Sequence, residues 1–232
     1  MSLFNLPRVP EPEVMDNSSE VEAYASAAAQ AFLEKIDDTF VEHALLLVKS
    51  KERGRALDIG TGPGQIVLKL AKQRKLWKFV GVDRSSNMIA QARSHLAAVG
   101  EAAGRVDFHI EDGNHLAFPD ASFDLIMCNS VLHHVAEPHT LLAEIARVAK
   151  PSAAILLRDL RRPGRFAFPF HVRWHGRHYS GTMCKLYKDS VHAAYTLSEL
   201  QFLLESSPIK NARVFTHHST HLGIERSTGQ GD

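Results

Sequence analysis

Short apolar runs rich in β-branched residues alternate with longer helical patterns from Ala56 onward, and this alternation limits the possible folds more than any other feature of the chain. Such alternation is typical of βαβ units, in which parallel strands form one sheet and helices cover it. Strands are predicted at 56–60, 78–83, 106–110, 123–129 and 153–159, with two further strand-like segments near 212–217 and 220–225. The sequence therefore predicts an α/β fold with a seven-stranded, mostly parallel sheet and helices on both faces.

Helical patterns fill the intervals between these strands. Residues 65–74 and 86–98 have helical spacing, and Thr196 and Glu199 form a capping-box pattern ahead of a last helix. Residues 161–195, in contrast, are irregular and rich in Arg, His, Phe and Gly. We call them the cap segment, because they leave the sheet where its ligand cleft should open.

Residues 18–49 have helical spacing ahead of the first strand. Two interpretations are open: the helix packs on the sheet, or its beginning folds over the cleft as a lid. We expect an N-terminal helical segment at 1–49 and a main domain at 50–232 that contains the cap segment.

Composition excludes several classes of protein. The 232 residues are 44% hydrophobic and carry a formal net charge of +1, which indicates one globular domain without a global charge that would attract nucleic acid or an anionic membrane. Cys128 and Cys184 match no zinc-ligand spacing and no disulfide framework, which fits a reducing cytoplasm. No apolar run is long enough to span a bilayer, so we expect a cytoplasmic chain without membrane insertion.

Three glycines stand at alternate positions in the stretch LDIGTGPGQ, residues 57–65, directly after the first predicted strand. Ligands of open α/β sheets bind beyond the carboxyl ends of the strands, and a glycine there lets the backbone approach the ligand closely. The sixth position of the dinucleotide motif G-x-G-x-x-G is occupied by Gln65, and Asp58 places a carboxylate beside the loop. A carboxylate repels pyrophosphate and attracts an ammonium group, so the loop is predicted to hold an amino-acid moiety.

Polar residues follow the next three strands at the same edge. Asp83 ends the second strand, where an acid can accept hydrogen bonds from both ribose hydroxyls of an adenosine. Asp112, after the third strand, could accept a hydrogen bond from the exocyclic amine of adenine, and Met88 could lie against the adenine ring. Asn129 and Ser130 end the fourth strand beside the same cleft.

These motifs, together with FDLIMCNSVLHH at 123–134, resemble the class I S-adenosylmethionine-dependent methyltransferases. The resemblance covers about residues 50–160 and is greatest to the bacterial small-molecule branch that includes the ubiquinone and menaquinone methyltransferases. It implies a Rossmann-like sheet whose last strand is antiparallel and lies next to the fifth, and it implies S-adenosylmethionine as the cofactor. In that family the pattern D/E-x-G-x-G-x-G, here Asp58 to Gly64, holds the methionine part of the cofactor. An acid at the end of the second strand, here Asp83, holds the ribose, and an acid after the third strand, here Asp112, holds the adenine.

The cofactor-binding residues expected on this basis are Asp58, Gly60, Thr61, Gly62, Gly64, Asp83, Arg84, Met88, Asp112, Gly113, Asn114, Asn129 and Ser130. One departure from the family pattern is KPSAAILL at 150–157, which lacks the usual glycine pair after the proline. It alters a turn outside the expected cofactor site.

Adjacent histidines, His133 and His134, suggest a general base because imidazole titrates near neutral pH. The same pair recurs in the resembled family among enzymes with different substrates, which favours a structural or cofactor-positioning function. His134 is the catalytic candidate, and His171, His175, His178 and Tyr179 are the unranked alternatives for a base. Cys128 is expected in the core.

Residues 147–188 contain ten lysines and arginines against Asp159 alone, interleaved with aromatic residues. This composition fits a cap over a small anionic or aromatic substrate, a solvated face, or a nucleic-acid surface. The D/N-P-P-Y/F motif of many nucleic-acid methyltransferases is replaced by NSVL after the fourth strand, so nucleic acid is disfavoured. The expected substrate contacts are Tyr24, Arg161, Arg165 and Tyr179.

The sequence thus predicts an enzyme that transfers a methyl group from S-adenosylmethionine to a small-molecule acceptor. Two alternatives remain open: a non-catalytic S-adenosylmethionine-binding protein, and an RNA-directed methyltransferase that uses the basic residues at 147–188. A nicotinamide oxidoreductase is disfavoured by the missing third glycine of the dinucleotide motif.

Overall fold

The structure of the protein is a computed structural model that describes residues 6–11, 27–100 and 104–229, with 27–33 as backbone only. Tyr24 and the start of the predicted N-terminal helix lie outside the described residues, so the lid interpretation stays a prediction.

Seven strands form one sheet. They are β1 (Gly54–Ile59), β2 (Trp77–Asp83), β3 (Val106–Ile110), β4 (Phe123–Asn129), β5 (Ala149–Leu160), β6 (Arg213–His217) and β7 (His221–Arg226). The order across the sheet is β3-β2-β1-β4-β5-β7-β6, with β1 to β5 parallel and β7 antiparallel to both of its neighbours. The predicted seven-stranded sheet, with its antiparallel last strand beside the fifth, is confirmed.

Helices flank this sheet. They are α1 (Ala27–Leu47), α2 (Gln65–Gln73), α3 (Ser86–Val99), α4 (Pro138–Val148), α5 (Phe168–His175), α6 (Thr182–Ala193) and α7 (Leu197–Glu205), with short 3₁₀ turns at Leu132–His134 and Gly176–His178. The capping box of Thr196 and Glu199 is formed as predicted, since each side chain accepts the other residue's backbone N–H. None of the helices in the described part is both long and apolar enough to cross a membrane.

Two hydrophobic clusters lie on opposite faces of the sheet. Because side chains alternate along a strand, Leu125 and Met127 of β4 face one cluster, whereas Ile126 and Cys128 face the other. Helices α1, α2 and α3 cover the first face, and α4 and α7 cover the second. Full burial of a side chain such as Phe40 of α1 contributes about 1.5–3 kcal/mol.

The cap segment is more regular than its sequence indicates, because it contains both α5 and α6. Helix α5 buries none of its side chains, and Phe170 and Trp174 are 76% and 65% exposed. The inward face of α5 consists of half-buried residues at helical spacing, Phe168, His171, Val172 and His175, and because two of these are histidines the face is not recognised as apolar in the sequence.

Candidate active site

A cavity of about 570 Å³ opens at the carboxyl ends of the parallel strands. Its walls come from α1, the loop after β1, the ends of β2 and β4, the 3₁₀ turn after β4, the cap segment and the turn between β6 and β7. This is where open α/β sheets bind ligands, on either side of the first strand.

The glycine loop after β1 has left-handed backbone at all three predicted glycines, with φ of 69° at Gly60, 52° at Gly62 and 80° at Gly64. A Cβ atom on Gly60 would lie 2.2 Å from Cγ2 of Val131, so that position has no room for a side chain. A Cβ on Gly62 would meet no atom within 4 Å, and Gly62 lines the cavity. The loop therefore presents bare backbone to a ligand at Gly62.

Asp58 lies beneath this loop and is only 2% exposed. Thr61 Oγ1 donates a 2.8 Å hydrogen bond to its Oδ2 atom. Burial raises the pKa of Asp58 to about 7, and the charges of Asp37 and Asp83 raise it further, while the Thr61 hydrogen bond lowers it. A cation bound above the loop would favour the ionised carboxylate.

Asp37 of α1 is a cavity residue that the sequence analysis missed. Burial is the main cause that raises its pKa, to about 6. One signal for it in the sequence is the adjacent pair Asp37–Asp38. Neighbouring positions of a helix face different directions, so one of two adjacent acids can face away from solvent. Asp37 and Asp58 thus both have raised pKa values, and the charge of Asp37 contributes to the raised pKa of Asp58.

Arg158 of β5 holds α1 in this position and is itself only 2% exposed. Its guanidinium donates to the carbonyl oxygen of Ile36 at 2.9 Å, to Thr39 Oγ1 at 2.7 Å and to Asn129 Oδ1 at 3.1 Å. It also lies over the ring of Phe40. This arginine therefore joins α1 to the ends of β4 and β5.

Asp83 is oriented by the backbone around it. Its Oδ2 accepts the N–H of Gly62 and its Oδ1 the N–H of Ser85, both at 2.9 Å. Burial raises its pKa, and hydrogen bonds from the backbone of Ser85, Gly62 and Arg84 act in the opposite direction. An ionised carboxylate can accept about four hydrogen bonds, so at least one position stays open toward the cavity.

The wall beyond Asp83 is formed by Met88, Asp112, Gly113 and Asn114. Asp112 Oδ1 accepts the backbone N–H of Asn114 at 2.9 Å, and its Oδ2 lies 3.9 Å from Nε of Arg84. The side-chain oxygen of Asn114 is buried and has no hydrogen-bond partner among the described residues. A buried acceptor of this kind is expected to bind a donor from a ligand or water.

The carboxyl end of β4 turns sharply at Ser130, whose φ of 58° is unusual for a residue other than glycine. Its N–H donates to the carbonyl oxygen of Arg158 at 2.8 Å. Both Ser130 and Asn129 line the cavity. Such backbone strain is concentrated at functional sites.

The two histidines after β4 have different surroundings. His133 Nδ1 lies 2.6 Å from Oδ1 of Asp159, whose Oδ2 accepts the backbone N–H of His133. Burial acts to raise the pKa of Asp159, but the His133 charge and hydrogen bonds outweigh it, so that pKa is lowered. Burial, aided by the His133 charge, lowers the pKa of His134 to about 3. His134 is therefore a weak base at neutral pH in the ligand-free protein, and its catalytic assignment stays a prediction.

The cap segment forms the opposite wall of the cavity. His175, Tyr179, Met183 and Tyr187 line it, and the rings of Tyr179 and Tyr187 have centroids 5.2 Å apart. Burial raises the pKa of Tyr179 to about 12.

Of the other predicted substrate residues, Tyr24 lies outside the described residues, and the structure does not bring the two arginines into this wall. Arg161 and Arg165 are absent from the described lining of the cavity, and Arg165 is exposed. Among the predicted cofactor residues, Thr61 and Gly64 lie behind the lining, as does Asp58.

The basic residues at 147–188 do not form one continuous surface. Arg147 pairs with Glu144 and Asp120, and Lys150 pairs with Asp124. Arg158 and Arg162 are buried. The remaining arginines and lysines belong to the cap segment, so the basic stretch is divided between internal ion pairs and exposed side chains.

Residues 57–157 match the family model described as a methyltransferase domain. The chain is 30% identical over 129 residues to the ubiquinone/menaquinone biosynthesis C-methyltransferase UbiE of Geobacter sulfurreducens, covering 55% of this chain and 50% of that protein. It is 33% identical over 143 residues to the uncharacterized methyltransferase YcgJ of Bacillus subtilis, covering 55% of each. The chain thus spans about half the length of these curated relatives.

Solved structures of methyltransferases have the same fold. A SAM-dependent methyltransferase from Aquifex aeolicus superposes with a TM-score of 0.59 at 22% identity, covering 91% of this chain and 93% of that chain. The plantazolicin methyltransferase BpumL in complex with SAH gives 0.66 at 19% identity, covering 90% and 88%. Residues 57–157 thus form a methyltransferase domain, and in sheet order and motifs the chain resembles the class I S-adenosylmethionine-dependent ubiquinone and menaquinone methyltransferases.

Proposed function

We propose that this chain transfers the methyl group of S-adenosylmethionine to a small-molecule acceptor. The observation that carries the proposal is that Gly62, Asp83 and Asp112 line a single cavity, with bare backbone at Gly62 and with the buried Asp58 behind the glycine loop. Asp58, Asp83 and Asp112 suit, in order, an ammonium group, a ribose and an adenine.

The fit at the amino-acid end rests on charge. Burial raises the pKa values of Asp58 and Asp37, and at Asp37 it outweighs the opposing charges of Lys69 and Arg158, so a further cation in the cavity would favour both ionised forms. The α-ammonium group of the methionine moiety would supply such a charge. The positive end of α2, which begins at Gln65, points its free N–H groups at the same loop and suits a carboxylate.

The fit at the nucleoside end rests on hydrogen-bond capacity. Asp83 keeps an acceptor position after binding the N–H groups of Gly62 and Ser85. The buried oxygen of Asn114 lacks a donor among the described residues, and the exocyclic amine of adenine is such a donor. Met88 provides apolar surface for the ring.

S-adenosylmethionine supplies a sulfonium methyl that is already activated for displacement. The work left to the protein is to hold an acceptor in line with that methyl and to exclude water, and such positioning supplies about 7–11 kcal/mol. We assign this work to the cap segment, whose Tyr179, Met183 and Tyr187 form the wall opposite the glycine loop. An aromatic wall favours a planar or apolar acceptor.

The acceptor is best sought among quinones and phenols first. The curated relative UbiE is named for ubiquinone and menaquinone biosynthesis, and the cavity of about 570 Å³ is in the usual size range for small-molecule sites. The division of the basic stretch into ion pairs and separate side chains gives less support to an RNA acceptor.

A transfer screen tests this function. The protein is incubated with S-adenosylmethionine carrying a labelled methyl group and a metabolite mixture enriched in quinones and phenols, and labelled products are identified by mass spectrometry. We expect a labelled small molecule whose formation, at a subsaturating concentration of the methyl donor, is strongly reduced in Asp83→Ala and retained in Asp107→Ala, a change on the exposed surface of β3. Binding of S-adenosylhomocysteine without any labelled product would instead support the non-catalytic alternative, and labelled RNA would support the RNA-directed one.

A further inference from the structure

Three potential metal ligands meet where the 3₁₀ turn Leu132–His134 contacts the N-terminal segment 6–11. Nδ1 of His134 lies 3.6 Å from Oε2 of Glu11, and Nε2 of His133 lies 3.9 Å from the same oxygen. All three ligand atoms lie within 4.8 Å of one another. The distances from the two histidine nitrogens to Oε2 of Glu11 are too long for hydrogen bonds. They approach about 3.3 Å, the distance between two ligand atoms that each lie about 2.0–2.1 Å from one tetrahedral ion.

Asp159 orients the ring of His133. An ionised carboxylate can only accept, so Nδ1 of His133 donates its proton to Oδ1 of Asp159 across 2.6 Å. This contact leaves Nε2, the other ring nitrogen, on the side of Glu11 as the atom that can bind a metal. Metal-binding histidines almost always donate their second ring N–H to a carboxylate, carbonyl or water in this way.

Glu11 is held in place by its own segment. Arg8 donates from Nε to the carbonyl oxygen of Ala193 at 2.6 Å and from Nη2 to that of His133 at 3.0 Å, and its guanidinium lies 4.5 Å from the ring centre of Tyr195. The Glu11 carboxylate also accepts a hydrogen bond from Ser190 Oγ, and its side chain is only 10% exposed. A buried carboxylate positioned before binding suits a metal ligand.

We propose that Glu11, His133 and His134 bind one divalent transition-metal ion, for which Zn²⁺ is the probe. Two imidazoles and one carboxylate are a ligand set that zinc uses in catalytic sites, where a fourth position stays open. Both histidines line the cavity, so the open position faces it and suits an anionic oxygen of a bound ligand. The site is independent of the proposed methyl transfer, since its occupancy is measured without the methyl donor.

Zinc binding is measured on tag-free protein stripped with a chelator, in a Cys184→Ser background that removes the exposed thiol. Competition with a chromophoric chelator gives the stoichiometry and the affinity. Glu11→Gln and His134→Ala remove ligands without disturbing the buried Asp159–His133 pair, and His139→Ala, an exposed histidine at the start of α4, is the matched control. Thermal unfolding of each variant confirms that it is folded.

We expect one Zn²⁺ per chain, with affinity weakened at least about 100-fold in both ligand variants and unchanged in His139→Ala. Asp159→Asn should weaken binding about 10- to 100-fold, as loss of a partner behind a metal ligand typically does. Absence of zinc binding, or equal affinity in either ligand variant and the control, would overturn the proposal and leave a protonated His133 between Asp159 and Glu11. Titration of the same samples with S-adenosylhomocysteine separates this outcome from a failure of the proposed function.

Discussion

The N–H of Gly62 donates a 2.9 Å hydrogen bond to Oδ2 of Asp83, and this bond joins the glycine loop after β1 to the end of β2. The two residues that should contact the amino-acid part and the ribose of the methyl donor are thereby fixed relative to each other before any ligand binds. Such preorganisation lowers the ordering cost of binding. It also means that a change in the loop can affect the ribose site.

Substitutions at the first two glycines of the loop should have different consequences. Both positions have left-handed backbone, which costs an L-residue about 1–2 kcal/mol. Gly60→Ala adds a methyl group 2.2 Å from Val131 Cγ2, so it should lower the unfolding temperature much more than Gly62→Ala. Gly62→Ala places its methyl group in the cavity and should chiefly weaken S-adenosylhomocysteine binding. Thermal unfolding and calorimetric titration measure the two effects, and equal losses of stability would refute the distinction.

Asp58→Asn should stabilise the ligand-free protein at about pH 8. Burial raises the pKa of Asp58 from 3.8 to about 7, so between these values the folded chain keeps a proton that the unfolded chain releases. The contribution of this group to the free energy of unfolding therefore falls as pH rises through that window. Because asparagine cannot ionise, Asp58→Asn avoids this loss of stability at about pH 8. Near pH 4 the gain in stability should vanish, because the folded wild-type protein keeps Asp58 protonated there.

The check for Asp58→Asn is the unfolding temperature at both pH values, with Asp107→Asn on the surface of β3 as the control. The same variant should bind S-adenosylhomocysteine more weakly, because the carboxylate that balances the ammonium group is gone. A lower unfolding temperature than wild type at about pH 8 would contradict the pKa argument.

Arg158→Met should loosen α1. The substitution removes three hydrogen bonds from a buried charged group, to acceptors of Ile36, Thr39 and Asn129, which should cost about 2 kcal/mol or more. Hydrogen exchange of the α1 amides should become faster, whereas Arg173→Met on the exposed side of α5 should leave it unchanged. Unaltered exchange in α1 would show that its packing on the sheet suffices to hold it.

Tyr187→Leu should raise KM for the acceptor about 10-fold or more while leaving the affinity for S-adenosylhomocysteine unchanged. Tyr187 lines the cavity on the cap side, and one contact of this kind is worth about 1–3 kcal/mol. Arg165→Ala should change neither quantity, since that side chain is exposed outside the cavity lining. Steady-state kinetics with the acceptor found in the screen provides the measurement, and a larger effect of Arg165→Ala would restore the assignment made from composition.

The strand ends could be predicted from sequence because their chemistry is local. Asp83 and Gly62 each follow a recognisable strand, and in a parallel sheet the carboxyl ends of neighbouring strands meet at one edge. Asp37, Arg158 and Glu11 were missed because their roles depend on contacts with distant parts of the chain. No local pattern shows that α1 crosses the strand ends or that segment 6–11 reaches the turn after β4.

The arginines of the cap segment show the limit of composition as evidence. The composition of a basic, aromatic stretch indicates that it binds a ligand, but it does not predict which side chains face that ligand. In the structure Arg165 faces solvent, while Tyr179 faces the cavity. Similarly, His133 and His134 are equivalent in sequence, and only the position of Asp159 distinguishes them.

Calorimetric titration with S-adenosylhomocysteine tests the central claim most directly, because it requires no knowledge of the acceptor. We predict one bound molecule per wild-type chain and a loss of about 1.5–3 kcal/mol in Asp83→Ala, roughly 10- to 150-fold in affinity, with Asp107→Ala unchanged. No binding by the wild type, or unchanged affinity in Asp83→Ala, would contradict the placement of the methyl donor in this cavity.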